Sequence, residues 1–155
     1  MRALVLAAAL LVSAPAAAMA QSAPEAVAEP AIVIEARDFM AGYARDLLAG
    51  NRAGIAARYD RQGAWMVHAG HARLIAHDRI TRRYAEDWAP PSAFEWRDLV
   101  FIPSGEDAVT VVGRFVWTSA DEEPALIAYH GQFVRHDGQL RIQVEDETPV
   151  APETP

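Results

Sequence analysis

The most constraining feature of the chain is a change in apolar period at Pro90-Pro91. Before the prolines, apolar residues mostly recur every three or four positions, the spacing of a buried helix face. After them, runs rich in Val, Ile, Phe, Tyr and Trp follow one another between short polar turns, the signature of strands. Helices gathered ahead of consecutive strands predict an α+β domain.

Ile32, Ala36, Phe39, Met40, Tyr43 and Leu47 define the first helix face. Gly50 can close that helix in a left-handed conformation. Asn51 can cap a short second helix carrying Ile55, Ala56 and Tyr59, which residues 60–63 break. Residues 64–68 read as a strand, with Gly70 at a turn. Asp78 can cap a third helix over residues 79–88. Strands are expected at 94–102, 108–117, 125–135 and 140–145, forming a four-stranded antiparallel meander. Residues 104–107 and His136-Asp137-Gly138 supply hairpin turns, since Asp-Gly accommodates positive φ.

The ends read differently. Arg2, the apolar run 3–12 and Ala18-Met19-Ala20 have the order of a cleavable export signal, with the cut before Gln21. The run is shorter than the ~20 residues a bilayer span requires. Residues 1–20 are therefore read as a signal peptide, 21–30 as a disordered spacer, 31–148 as one domain and 149–155 as a disordered tail. The protein is expected outside the cytoplasm, in the periplasm or secreted. The chain has no Cys, so no disulfide contributes. Its formal charge is −7, and losing Arg2 with the signal makes it more acidic. That balance argues against nucleic acid as a partner, and no membrane association is expected after cleavage.

Three stretches resemble the nuclear transport factor 2-like fold, of the SnoaL-like and DUF4440-type small exported domains. They are the helix pair ending in residues 47–60, the helix start His77-Asp78-Arg79-Ile80, and the hairpin over residues 133–142. The resemblance implies a cone-shaped half-barrel, with three N-terminal helices on a curved, mostly antiparallel sheet and a pocket between them. It also implies a homodimer through the outer sheet face. Val112 and Val116 alternate with Val111, Phe115 and Trp117, leaving both faces of that strand apolar. The chain departs from the pattern at Leu140, where relatives often have Trp, and at Glu145-Asp146-Glu147, where many have His.

The implied pocket draws on Tyr43, Tyr59, Trp65, Trp96, Phe115, Trp117 and Tyr129, with Arg135 at its edge or paired to Glu145 or Asp146. Such a lining suits a small, largely apolar molecule, although the rings could equally be core. Acid–base chemistry there requires a buried titratable group, and the candidates are Asp60, His68, Asp98, His130 and Asp146. Regular alternation puts Asp146 on the inner face with Leu140, Ile142 and Val144, unless a bulge intervenes. His68, His71 and His77 lack an evident arrangement for a metal, and no cofactor motif is present. The readings left open are a ligand-binding pocket domain, a lyase, isomerase or hydrolase using a buried carboxylate or His, and a protein-interaction module.

Overall fold

The computed structural model describes residues 28–68 and 71–151. The residues read as an export signal, most of the spacer, the turn expected at Gly70 and the end of the segment read as a tail lie outside them.

Helix α1 (Ala31–Ala49) buries Ile32, Val33, Ala36, Met40, Tyr43 and Leu47 along one stripe. It stops at Gly50, where φ is 63°. The Gly50 amide donates to the Leu47 carbonyl and the Asn51 amide to that of Asp46, closing the last turn in a Schellman arrangement. Asn51 Oδ1 then accepts from the Gly54 amide at 3.1 Å and starts α2 (Arg52–Ala56). Beyond α2 the chain runs alongside the last strand. Ile142 donates to the Arg58 carbonyl at 2.8 Å, and Asp60 donates to the Ile142 carbonyl at 3.0 Å. This short parallel bridge delivers Tyr59 to the sheet interior.

Strands β1 (Ala64–His68) and β2 (His71–Ile75) pair antiparallel. The sequence reading missed β2, whose His71, Ala72, Arg73 and Leu74 are all exposed and give no core-facing run. Helix α3 (His77–Glu86) begins two residues before the expected start. Asp78 is not its cap: Ala76 precedes the helix and Asp78 lies in the first turn, accepting only from the adjacent Arg79 amide. The helix ends short of Trp88.

Strands β3 (Ala93–Pro103), β4 (Ala108–Thr118), β5 (Ala125–His136) and β6 (Gln139–Pro149) form the expected antiparallel meander. β1 adds to β6 in parallel, so the sheet order is β2-β1-β6-β5-β4-β3. Asp137 and Gly138 both have positive φ, 50° and 75°, as a tight hairpin requires. β6 runs through Pro149 and Val150 still donates to Leu126, so the strand extends into the segment read as tail.

Two bulges bend the sheet. In β3 the register shifts between Arg97 and Val100, with Asp98 at φ 53°. In β6 one extra residue lies between Ile142, which faces Phe133, and Val144, which faces Gln132. The core fills the concave side against α1: Val109, Val111, Phe115, Tyr129, Phe133, Leu140 and Ile142. Phe39 meets Phe133 edge to face at 5.1 Å. Burying a ring of this kind contributes on the order of 2–3 kcal/mol.

Candidate functional site

The β6 bulge decides which acid enters the cone. Before it, Leu140 and Ile142 face inward; after it the inward positions are Glu145 and Glu147. Asp146, the acid expected inside, instead faces outward and accepts from Thr148 Oγ1 at 3.0 Å. The extra residue reversed every assignment beyond it.

Glu145 is 4% exposed. It pairs across the sheet with Gly131 on one side and Met66 on the other. Tyr59 donates to its Oε2 at 2.5 Å, and Tyr129 donates to its Oε1 at 3.3 Å. Tyr59 Oη also lies 3.0 Å from Tyr43 Oη and 2.9 Å from Tyr84 Oη. With the Tyr59 proton committed to Glu145, both neighbours must donate to Tyr59, which fills its two lone pairs. All four tyrosines of the chain thus converge on one carboxyl group. They arrive from α1, the bridge after α2, α3 and β5. Arg58 steadies the Tyr59 segment by donating to Asp46 Oδ2 through Nε and Nη2 and to the Phe39 carbonyl at 3.1 Å.

Gly131 makes the Tyr129 contact possible. A Cβ there would lie 2.6 Å from Tyr129 Oη and 3.0 Å from Phe133 Cε2, so the phenol leans over the space a side chain would occupy.

Burial pushes the Glu145 carboxyl from 4.5 up to about 8, and the nearby Glu147 charge adds to the rise. The hydrogen bonds from Tyr59 and Tyr129 act in the opposite direction. Burial, followed by the Glu145 charge, raises Tyr43, Tyr59, Tyr84 and Tyr129 above their ordinary 10. The phenols therefore remain donors while the acid can exchange a proton near neutral pH.

Glu145 forms part of the wall of a cavity of about 300 Å³, with Tyr59, Met66, His68, Ile80 and Tyr84. Across Tyr84 lies a second cavity of about 250 Å³, walled by Tyr43, Trp88, Phe94, Trp96, Phe115 and Trp117. Arg83, Tyr84 and Glu147 border both. Trp96 is fixed by donating Nε1 to the Met40 carbonyl at 3.0 Å, and its ring meets Tyr129 and Phe115 edge to face. Such compartments lie at the small end of the ~300–1,000 Å³ range of ligand sites.

The expected site residues divide accordingly. Tyr43, Tyr59, Trp96, Phe115 and Trp117 line the cavities, and Tyr129 reaches Glu145 from behind. His68 lines the first cavity, its Nδ1 3.4 Å from the Glu147 carbonyl oxygen. Trp65 does not line it: Ala64 and Met66 take the inward positions of β1, leaving Trp65 46% exposed on the outer face. Arg135 pairs with neither Glu145 nor Asp146; its partners are Glu35 on α1 and Asp107. Asp60 is buried but borders a different groove, beside the β5–β6 hairpin. Asp98 pairs with Arg114 at the β3 bulge, and His130 is exposed. Among the described residues no group of three or more His, Cys, Asp or Glu is arranged to hold a metal ion.

Sequence reasoning missed Glu145 and Tyr84 as site residues. Tyr84 was legible, because Ile80, Tyr84 and Trp88 recur at four-residue steps and face the sheet. Glu145 was not, since the bulge carries no Gly or other local signal.

Solved structures share this arrangement. An NTF-2 like protein of unknown function from Shewanella oneidensis MR-1 superposes with a TM-score of 0.67 at 12% identity, covering 76% of this chain and 98% of its own. A cystatin-like fold protein from Burkholderia xenovorans LB400 gives 0.67 at 18% identity, over 81% and 96%. A proposed scytalone dehydratase from Novosphingobium aromaticivorans DSM 12444 gives 0.60 at 12%, over 77% and 85%. No protein-family model and no curated protein matches the chain. The chain therefore has the nuclear transport factor 2-like fold, an α+β cone whose pocket opens between the helices and the concave sheet. At these identities the likeness extends to the fold and not to an activity.

Proposed function

We propose that the cone binds a small, largely apolar molecule and moves a proton on it, as a lyase or isomerase does, with Glu145 as the proton-carrying group. The observation that carries this reading is the Glu145 carboxyl group, buried at a cavity wall and held by two tyrosine donors, where burial raises it toward neutrality. As a carboxylate, Glu145 would remove a proton from a carbon beside a carbonyl; as the acid it would return it. The apolar walls would hold the body of the molecule. His68 and Arg83 border the same cavity and offer a donor and a positive charge to oxygen that gains charge in the reaction. The dehydratase description of one structural neighbour is compatible with this class of chemistry.

The test uses 2-indanone, a small apolar ketone with exchangeable α-protons, in buffered D2O. Deuterium uptake followed by NMR should be faster with the wild-type protein than with Glu145→Gln. Equal rates would remove Glu145 from the chemistry.

Export is part of the same proposal and rests on the charge, apolar run and small-residue order of residues 1–20. N-terminal sequencing of protein recovered outside the cytoplasm should begin at Gln21; a start at Met1 would reject cleavage.

A further inference from the structure

We propose a second binding site, for a small phosphate-type oxyanion, in the groove of about 400 Å³ beside the β5–β6 hairpin. Three of the chain's 14 arginines, Arg61, Arg135 and Arg141, border this groove together with His136. Asp60 and Asp137 border the same groove, and Glu35 and Asp107 already pair with Arg135, so Arg61 and Arg141 are the cations left to meet an added anion.

The two acids have different roles. Asp60 is 2% exposed, and its Oδ1 accepts from the Gln62 amide at 2.8 Å. Its Oδ2 lies in ion-pair contact with His136 Nδ1 and has no other partner. The Asp60 carboxylate engages Nδ1, so Nε2 is the ring nitrogen left to meet a ligand in the groove that His136 borders. Asp137 makes only a 3.5 Å contact with Arg61, and both side chains are largely exposed. Such a surface pair is worth little and yields readily to a better anion.

The arginines are also unequal. Arg135 is held by Glu35 and Asp107, which match its charge, so it serves the groove as a fixed wall and not as a free cation. Arg141 spends one Nη on the Ala57 carbonyl and the other on Gln139 Oε1 at 2.5 Å, which orients its guanidinium and leaves Nε and further N–H groups to donate. Arg61, Arg141 and His136 thus border one concave space with N–H groups left to donate, and tetrahedral oxyanions suit such charge-assisted contacts. The flanking acids and the acidic chain disfavour an extended anionic surface such as nucleic acid or lipid. A free small anion fits instead.

The probe is inorganic phosphate, titrated at low ionic strength into the full chain, with chloride at matched ionic strength as the control. Binding is read from 1H–15N chemical shifts of the backbone amides at 61, 136 and 141. Phosphate should give saturable shifts there that chloride does not, and Arg141→Gln and Arg61→Gln should each weaken binding about tenfold, the loss of one charge-assisted hydrogen bond. His136→Gln should do the same but strips Asp60 of its partner, so Arg61→Gln, on the exposed pair, decides the matter if that variant fails to fold. Equal shifts with chloride, or undiminished binding by both arginine variants, would overturn the site. Glu145→Gln should bind phosphate as the wild type does, which separates this site from the chemistry proposed for the cone.

Discussion

Tyr59 and Glu145 are 86 residues apart in sequence and meet inside the cone through a 2.5 Å hydrogen bond, with side chains that solvent barely reaches. Burial of that carboxyl, which the hydrogen bond offsets only in part, sets the pH behaviour of the fold. Glu145 titrates near 8 when folded and near 4.5 when exposed, so between those values the native state holds a proton that the unfolded chain has released. Its contribution to stability is therefore greatest below about 4.5 and is lost as pH rises through about 8. The slope is at most roughly 1.4 kcal/mol per pH unit. Glu145→Gln should remove this slope, so urea unfolding from pH 5 to 8 should show the variant gaining on the wild type as pH rises. If the carboxylate is the reactive form, kcat/KM should climb to a plateau above pH 8. Parallel stability profiles would show that Glu145 titrates normally.

Removing the hub should cost more than removing a spoke. Tyr59→Phe leaves Glu145 Oε2 without its donor and strips Tyr43 and Tyr84 of their acceptor. Orphaned buried groups cost about 1–3 kcal/mol each. Tyr43→Phe removes one hydrogen bond and should cost about 1 kcal/mol. Chemical denaturation of the two variants compares them directly, and equal losses would show that the network is not organised around Tyr59.

Gly131→Ala should act through Tyr129. The new Cβ takes the space under the phenol, displacing the Oε1 donor and costing about 1–3 kcal/mol by overpacking. Because that hydrogen bond holds the Glu145 value down, both Gly131→Ala and Tyr129→Phe should move the pH midpoint of the Glu145 titration upward. A midpoint unchanged in both would remove Tyr129 from the site.

Phe133 and Trp117 separate core from cavity. Phe133 is fully buried against Phe39, and Phe133→Ala should cost about 3–5 kcal/mol. Trp117 borders the second cavity, is only partly buried, and forms T-shaped pairs with Trp88 and Phe94. Trp117→Ala should cost less in unfolding free energy and should weaken retention of whatever apolar molecule co-purifies, as judged by mass spectrometry. A stability loss equal to that of Phe133→Ala would make Trp117 core.

We propose that the outer sheet face pairs two copies of the chain. Val100 and Ile102 are about half exposed on that face at the β3 edge, where Val100 pairs with Val112, and Trp65 and Leu74 are about half exposed on the same face at the β1–β2 edge. Light scattering should give a dimer mass for the wild type and a monomer mass for Ile102→Asp. A wild-type mass of one chain at all concentrations would reject it.

The sequence made the helices and the meander legible where chemistry is local. The stripe of α1, the Gly50 stop, the Asn51 cap and the Asp137-Gly138 turn each depend on neighbours a few residues away. What escaped depends on pairing. β2 owes its existence to β1 rather than to buried side chains of its own, and the acid inside the cone is chosen by a slip between β5 and β6. Neither Gln143 nor its neighbours announce that slip, so alternation pointed to Asp146 and the chain uses Glu145.

Every phenol in this protein lies within one hydrogen-bonded cluster around Glu145. The tyrosine ultraviolet spectrum of the whole chain is consequently the spectrum of its site. Gain or loss of a proton on one carboxyl group alters the field at all four rings, so a pH-difference spectrum can follow the site without any label or substrate.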